Sequence, residues 1–257
     1  MSYALITGAS KGIGRSIAVA LAGRGFSVLL VARSASALQE QAERLKKEYH
    51  VDADWLATDL TNSGATQTIF DWCMKKNYEI SVLVNNAGYG LSGPFEKYTL
   101  AEQQNMMQLN MIVPVELCQR FLPVLYKQPK AYILNIASTT AYQAVPYLSL
   151  YAATKAFILT FSRGLRQELH GSNISVTCIS PGATDTDFVV RAQLSEKGLK
   201  TAKKVHMTAD AVAGIAVRSM LAGRAEVITG IVNKLGAFLV WLLPKGLVER
   251  SVMKIYE

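Results

Sequence analysis

Short apolar runs alternate with longer helical patterns along the whole chain. Runs rich in aliphatic and β-branched residues predict seven strands, at Tyr3–Ile6, Ser27–Val31, Asp54–Ala57, Val82–Val84, Tyr132–Ile136, Ser175–Ile179 and Glu226–Thr229. Apolar residues that return every three or four positions predict helices over Gly14–Arg24, Ala35–Tyr49, Thr66–Lys76, Ala101–Leu125, Tyr151–His170 and Ala209–Ala222. Continuously apolar strands separated by helices form parallel sheets that are covered on both faces. We therefore expect a doubly wound α/β fold with a parallel sheet of about seven strands.

Length and composition indicate one globular domain. The 257 residues fit a single α/β domain, and no linker, repeat or low-complexity tract divides residues 1–257. Half of the residues are apolar and 18% are charged, so a large core is expected. The net charge of +8 is spread along the chain instead of forming one basic run, which argues against a nucleic-acid partner.

The cysteines and the first residues predict a cytoplasmic protein. Cys73, Cys118 and Cys178 lie far apart in apolar stretches, so we expect buried free thiols in a reducing compartment. The histidines are equally scattered, and we expect no metal site. The chain passes from Met1 straight into an apolar strand, without the pattern of a secretion signal.

A glycine-rich loop follows the first predicted strand and opens a helix. It reads Thr7-Gly8-Ala9-Ser10-Lys11-Gly12-Ile13-Gly14. Glycines permit a tight turn and let a phosphate approach the free N–H groups of a helix N-terminus, so the loop predicts a nucleotide site. The stretch from Gly8 to Gly12 also fits the G-x-S-x-G pattern of hydrolases, with Ser10 as the nucleophile. That serine needs an oxyanion donor from an earlier strand-to-helix loop, whereas no strand precedes this one.

The charges around this loop favour NADP(H) over NAD(H). Residues 1–39 contain no Asp or Glu, and Arg33 follows the second strand. NAD-binding proteins commonly place a carboxylate there, which would repel a 2′-phosphate. With Lys11 in the loop and Arg15 one turn into the helix, cations can converge on that phosphate. The alternative is that these are ordinary solvated cations on a helix surface.

Tyr151 and Lys155 are four residues apart at the start of a long predicted helix, which puts both side chains on one helical face. A free tyrosine has a pKa of about 10, and a nearby cation favours the phenolate. Taken alone, this spacing is common and mostly structural. Ser138 follows the strand Tyr132–Ile136, so its hydroxyl is expected at the same carboxyl edge of the sheet.

Together these motifs resemble the short-chain dehydrogenase/reductase family, over nearly the whole chain and in that family's order. The matching positions are Thr7-Gly8-x-x-x-Gly12-x-Gly14, Asp59-Leu60, Asn85-Asn86-Ala87-Gly88, Asn110, Ser138, Tyr151-x-x-x-Lys155, Pro181-Gly182 and Thr186. The resemblance implies a Rossmann-type fold for residues 1–257.

The resemblance also implies a catalytic tetrad. Tyr151 would give or take the proton, Ser138 would hold the reacting oxygen, and Lys155 would bind the nicotinamide ribose and lower the pKa of Tyr151. Asn110 would hold a water that links Lys155 to solvent; the alternative, an amide bonded to a distorted turn of its own helix, is compatible with that role. The motifs and the charge pattern together predict cofactor contacts from Gly8, Ser10, Lys11, Gly12, Ile13, Gly14, Arg15, Arg33, Asp59, Leu60, Asn85, Ala87, Gly88, Tyr151, Lys155, Pro181, Gly182, Thr184 and Thr186.

Two later segments are expected near the substrate. Residues 183–207 resemble the family's mobile lid, and Tyr89, Thr140 and Phe188 are candidate substrate contacts because they stand beside motif residues. Residues 231–257 are unusually apolar and predict packing against another subunit or a hydrophobic substrate. The alternative is an interfacial membrane helix, because residues 191–257 hold eleven Lys and Arg against five Asp and Glu.

The sequence thus predicts a reductase that uses NADPH to convert a ketone or aldehyde into an alcohol, or the reverse dehydrogenase. The apolar C-terminal segment favours a lipophilic substrate, such as a 3-oxoacyl or steroid-like ketone. A protein that binds NADP(H) as a sensor or scaffold is the alternative, although it would not need Tyr151 as a proton donor. We expect a homodimer or homotetramer.

Overall fold

The computed structural model describes residues 2–185 and 206–256. The strands are β1 (Tyr3–Thr7), β2 (Ser27–Ala32), β3 (Ala53–Ala57), β4 (Ile80–Asn85), β5 (Ala131–Ile136), β6 (Ile174–Ser180), β7 (Thr184–Asp185), β8 (Met207–Thr208) and β9 (Glu226–Ile228). The α-helices are α1 (Gly12–Ala22), α2 (Ala35–Tyr49), α3 (Ala65–Lys75), α4 (Leu100–Met107), α5 (Val113–Leu125), α6 (Ser149–Glu168), α7 (Ala209–Leu221), α8 (Ile231–Leu242) and α9 (Lys245–Tyr256).

Seven strands form one parallel sheet in the order β3-β2-β1-β4-β5-β6-β9. The chain proceeds outward from β1 through β2 to β3, then returns to the other side of β1 and proceeds through β4, β5 and β6 to β9. This reversal makes the β1–β4 boundary the topological switch point, where ligands bind in open α/β sheets. The predicted Rossmann-type doubly wound fold is confirmed.

The sheet is apolar on both faces because helices cover both. All six residues of β2, of β4 and of β5 are buried, which explains why these strands read as continuous apolar runs. Along β1, Leu5 packs into one cluster with side chains of α3, α5 and α6. Its neighbours Ala4 and Ile6 pack into the opposite cluster with side chains of α1, α2 and α7. This alternation follows from the two-residue period of a strand.

The prediction of one helix over Ala101–Leu125 is wrong, because the structure divides this segment into two α-helices. A π-helical turn at Gln108–Ile112 separates α4 from α5, and the Val113 N–H bonds back to the Gln108 carbonyl. Pro114 has no N–H to offer the Asn110 carbonyl four residues earlier, so the ordinary α-helical ladder is interrupted there. Such π turns often occur at functional sites.

The three cysteines are buried and free, as predicted. Within the described ranges, 2–185 and 206–256, no helix has the length and apolar character that crossing a bilayer requires.

Gly14 is held against the loop that precedes α1. A Cβ at Gly14 would lie 2.3 Å from the Gly8 carbonyl oxygen and 2.4 Å from Asn86 Nδ2, whereas a Cβ at Gly164, within α6, would meet nothing within 4 Å. We expect Gly14→Ala to lower the free energy of unfolding by about 1–3 kcal/mol. Gly164→Ala, the matched control, should raise it by up to about 1 kcal/mol, because alanine favours helix. Urea unfolding measures both; equal midpoints for Gly14→Ala and wild type would contradict the close contact.

Candidate active site

A cleft of about 670 Å³ lies at the carboxyl edge of the sheet and crosses the switch point. It joins the glycine loop at one end to the predicted tetrad at the other. Predicted site residues that line it are Gly8, Ser10, Lys11, Gly12, Ile13, Arg33, Asp59, Leu60, Ala87, Gly88, Tyr89, Ser138, Thr140, Tyr151, Lys155, Pro181, Gly182 and Thr184. The volume lies within the usual range of small-molecule sites, about 300–1,000 Å³.

The glycine loop has the geometry that its sequence predicts. Gly8 and Gly12 have φ values of +67° and +56°, which favour glycine. The loop is held by residues that the site prediction did not include. The Thr7 hydroxyl donates to the Val84 carbonyl and accepts from the Asn86 N–H, while Asn86 Nδ2 donates to the Thr7 and Gly8 carbonyls. These bonds tie the end of β1 to the end of β4.

Two of the three predicted cations lie at the loop end of the cleft. Lys11 and Arg33 line it, and an Arg33 Nη1 atom is 3.8 Å from an Asp59 carboxylate oxygen. Asp59 also accepts from the Thr61 N–H and hydroxyl, which fixes its position. Arg15 is exposed on α1 and is not among the residues that line the cleft, contrary to the prediction.

The other end of the cleft holds Ser138, Tyr151 and Lys155. Lys155 Nζ is 5.8 Å from the centre of the Tyr151 ring and donates to the Ile136 carbonyl at 2.9 Å, across the carboxyl end of β5. Burial lowers the pKa of Lys155 from 10.5 to about 8, because the charged form loses its hydration. At neutral pH Lys155 is therefore still mostly protonated, as a cation beside the phenol.

Asn110 lies in the π turn and is almost wholly buried. Its Oδ1 accepts from the Tyr89 N–H, and its Nδ2 donates to the Tyr89 carbonyl and to the Thr154 hydroxyl. These amide bonds go to the loop after β4 and to α6, and not to its own helix. A Cβ at Gly88 would lie 3.0 Å from Asn110 Oδ1 and 3.4 Å from Lys155 Nζ, so Gly88 leaves room where these two polar side chains approach.

Like Gly14 and Arg15, Asn85 is a predicted cofactor residue that does not line the cleft. It is the last residue of β4, and its buried Nδ2 donates to Asn135 Oδ1 and contacts Cys118 Sγ on α5. Successive residues of a strand point to opposite faces, so the next residue, Asn86, lines the cleft instead. The polar chain continues from Asn135 Nδ2 to the Ser162 hydroxyl and joins β4 and β5 to α6.

The structure describes two of the three candidate substrate contacts. Tyr89 and Thr140 line the cleft, and the buried Thr140 hydroxyl makes no hydrogen bond within the described part of the chain. Phe188, Thr186 and most of the predicted lid, 183–207, lie outside the described residues. At the ends of that segment, β7 and β8 pair in parallel, Thr184 with Met207 and Asp185 with Thr208.

Comparison with known proteins agrees with this geometry. The family model described as short chain dehydrogenase matches residues 2–197. This chain belongs to the short-chain dehydrogenase family. A serine 3-dehydrogenase from Agrobacterium fabrum is 35% identical over 189 residues, which are 72% of this chain and 73% of that protein. A ketoacyl reductase from Nostoc is 32% identical over 205 residues, covering 78% of this chain and 71% of the relative.

A solved short-chain dehydrogenase from Sphingobium yanoikuyae, in complex with NADPH, has the same fold. Its TM-score is 0.83 at 30% sequence identity, with 96% of this chain and 95% of that chain covered. As a short-chain dehydrogenase, the protein is an oxidoreductase. The hydrolase alternative at Ser10 therefore falls away.

The buried charge of Lys155 gives a test of the site in solution. Because the pKa of Lys155 is lower in the folded protein than in the unfolded chain, the unfolded chain binds this proton more tightly. Burial of the charged lysine lowers the free energy of unfolding by its full amount below about pH 8, and this cost decreases as the pH rises toward 10.5. We expect the stability of the wild type relative to Lys155→Met to improve by about 2 kcal/mol between about pH 7 and about pH 10 in urea unfolding. Lys127→Met, which removes an exposed lysine, is the control; a pH dependence for Lys155→Met no larger than that of this control would contradict a buried ammonium.

Proposed function

We propose that the protein reduces a ketone or aldehyde to an alcohol, with NADPH as the hydride donor. The observation that carries this proposal is the single cleft in which a glycine loop with two cations lies at one end, and Ser138, Tyr151 and Lys155 at the other. The two ends come from opposite sides of the switch point, so a ligand that lies across it reaches both.

The loop end fits a dinucleotide with a 2′-phosphate. The α1 N-terminus and the positive φ of Gly8 and Gly12 leave backbone N–H groups open to a pyrophosphate. Lys11 and Arg33 would hold the 2′-phosphate, and Arg33 also offsets the carboxylate of Asp59 that would otherwise repel it. The NADPH complex of the Sphingobium relative supports the same choice.

The tetrad end supplies the proton. A bound NADPH would deliver hydride to the carbonyl carbon. The Ser138 hydroxyl would hold the carbonyl oxygen, and Tyr151 would donate its phenolic proton to that oxygen, so that the C=O bond becomes CH–OH. The Lys155 ammonium, 5.8 Å from the Tyr151 ring, stabilises the phenolate that remains. The proton must then return to Tyr151 from solvent, through Lys155 and a water near Asn110.

Asn110 has a positioning role in this proposal. Its amide joins the backbone of Tyr89 to Thr154, and the Thr154 hydroxyl donates in turn to the Tyr151 carbonyl at 2.7 Å. The π turn therefore fixes the position of the loop after β4 relative to the start of α6. The proton donor and its lysine stay aligned because this connection is buried.

The substrate is proposed to be lipophilic. Apolar and aromatic side chains line the same cleft as Tyr151, among them Tyr89, Leu109 and Leu148. They would contact the groups attached to the carbonyl, and each additional buried CH₂ contributes about 0.8 kcal/mol.

Replacement of Tyr151 by Phe tests the proposed chemistry. NADPH oxidation is followed by absorbance with a homologous series of 2-alkanones and with a ketose of similar size. We expect kcat/KM of the wild type to rise with chain length and to exceed the ketose value. In Tyr151→Phe, kcat should fall at least about a hundredfold, because the proton donor is gone. NADPH affinity, measured by fluorescence, should change much less. Undiminished turnover in Tyr151→Phe would rule out the mechanism, and a wild type that binds NADPH but reduces no carbonyl would support a sensor.

Replacement of Arg33 by Ala tests the cofactor preference. The variant removes the cation and leaves the Asp59 carboxylate to face the phosphate. We expect the Kd for NADPH to rise about 10- to 100-fold, and the Kd for NADH to change by less than about threefold. Arg24→Ala removes an arginine whose Nη1 bonds to the Ala20 carbonyl at the end of α1, so it is the matched control and should alter neither value. Equal losses for both cofactors would contradict recognition of the 2′-phosphate.

A further inference from the structure

The helix α8 exposes apolar side chains over most of its length. None of its residues is buried, and Ile231 and Trp241 are 83% and 78% exposed. The other large apolar residues that are exposed on it are Val232, Leu235, Phe238, Leu239 and Leu242. A contiguous apolar surface of this kind is unusual for a water-facing helix and marks an interaction site.

The apolar stripe of α8 faces outward, the reverse of an ordinary amphipathic helix. Ile231, Leu235, Phe238 and Leu242 are spaced by four, three and four residues and so share one face, which is exposed. The half-buried face contains Asn233, whose Nδ2 donates to the Thr229 carbonyl at 2.7 Å. Asn233 thus faces the protein, as do the other half-buried residues of the helix, Ala237 and Val240.

That inner side rests at the catalytic cleft. A Cβ at Gly182 would lie 2.3 Å from Asn233 Nδ2, so the Asn233 side chain packs directly on the Gly182 backbone. Gly182 lines the cleft together with Tyr151. The outward apolar stripe is therefore held beside the mouth of the site.

Cations border the apolar stripe. Lys234 and Trp241 are seven residues apart and lie on the same flank of α8, next to Phe238. The exposed residues Lys245, Arg250 and Lys254 follow on α9. Lysine and tryptophan beside an apolar face are typical of helices that lie in the interface of a membrane.

We propose that α8 docks the protein on the surface of an anionic lipid bilayer, with Ile231, Leu235, Phe238 and Leu242 entering the interfacial layer. A second copy fits less well, because a two-fold contact through this stripe would bring Lys234 of each chain toward its counterpart. Anionic headgroups instead complement the cations of α8 and α9 and the net charge of +8. The twelve-residue helix lies on the bilayer and does not cross it, since a span needs about 20 apolar residues.

Vesicle flotation with the whole protein tests the docking. The probes are vesicles of phosphatidylcholine alone and of an equal mixture with phosphatidylglycerol. We expect flotation with the anionic vesicles, which added salt weakens, and little flotation with the neutral ones. Phe238→Ser/Leu242→Ser should weaken partition at least about tenfold. Ile112→Ser/Tyr126→Ser removes two exposed apolar side chains that lie outside α8 and α9 and should leave partition within about twofold.

Two further measurements separate lipid from protein contact. Lys234→Gln/Lys245→Gln should lose the preference for anionic vesicles, and the vesicle-induced blue shift of tryptophan fluorescence should disappear in Trp241→Phe. Absence of flotation in the wild type, or equal loss in the two double-serine variants, would overturn the proposal. So would a dimer in sedimentation that Phe238→Ser/Leu242→Ser dissociates and that anionic vesicles leave intact.

Discussion

The contact between the loop after β1 and the end of β4 is the constraint on which the rest of the site depends. The Thr7 hydroxyl and the Asn86 amide tie the two strand ends together, and the absence of a Cβ at Gly14 allows α1 to start against them. Because the chain turns to opposite sides of the sheet after β1 and β4, the two connections diverge from this point and a crevice opens between them. This junction positions the glycine loop at one end of the cleft, and the crevice extends from there to Tyr151 at the other end.

The Tyr151 end of the cleft contains a cation that is unfavourable for folding. Lys155 is buried beside the Tyr151 ring, and its hydrogen bond to the Ile136 carbonyl only partly replaces lost hydration. The surrounding polar contacts hold it in place: Asn110 fixes the backbone of Tyr89 and reaches Thr154 on the lysine's own helix. A cation held near a phenol is useful to proton transfer because little reorganisation is needed when charge develops.

The C-terminal helix α8 lies between the cleft and the outer surface of the protein. Asn233, on the inner side of α8, packs on Gly182 at the cleft, while the apolar stripe of the helix faces outward. Docking through that side would bring the mouth of the cleft close to the bilayer, where lipophilic carbonyl compounds concentrate. The proposed substrate class and the proposed lipid surface therefore agree with each other, although each rests on a different set of residues.

Local features of the sequence determined the strand and helix alternation, the doubly wound sheet, the glycine loop and the Tyr151–Lys155 pair, because each is set within a few neighbouring residues. Tertiary structure decided what depends on distant partners. It divided the helix predicted over 101–125 at a π turn, and it gave Asn110 partners 21 and 44 positions away. Asn85 faces the core because its strand register points it there, and Arg15 is exposed on α1 outside the cleft. Side-chain direction and burial are set by how whole elements pack, and a residue's own sequence neighbourhood does not specify them.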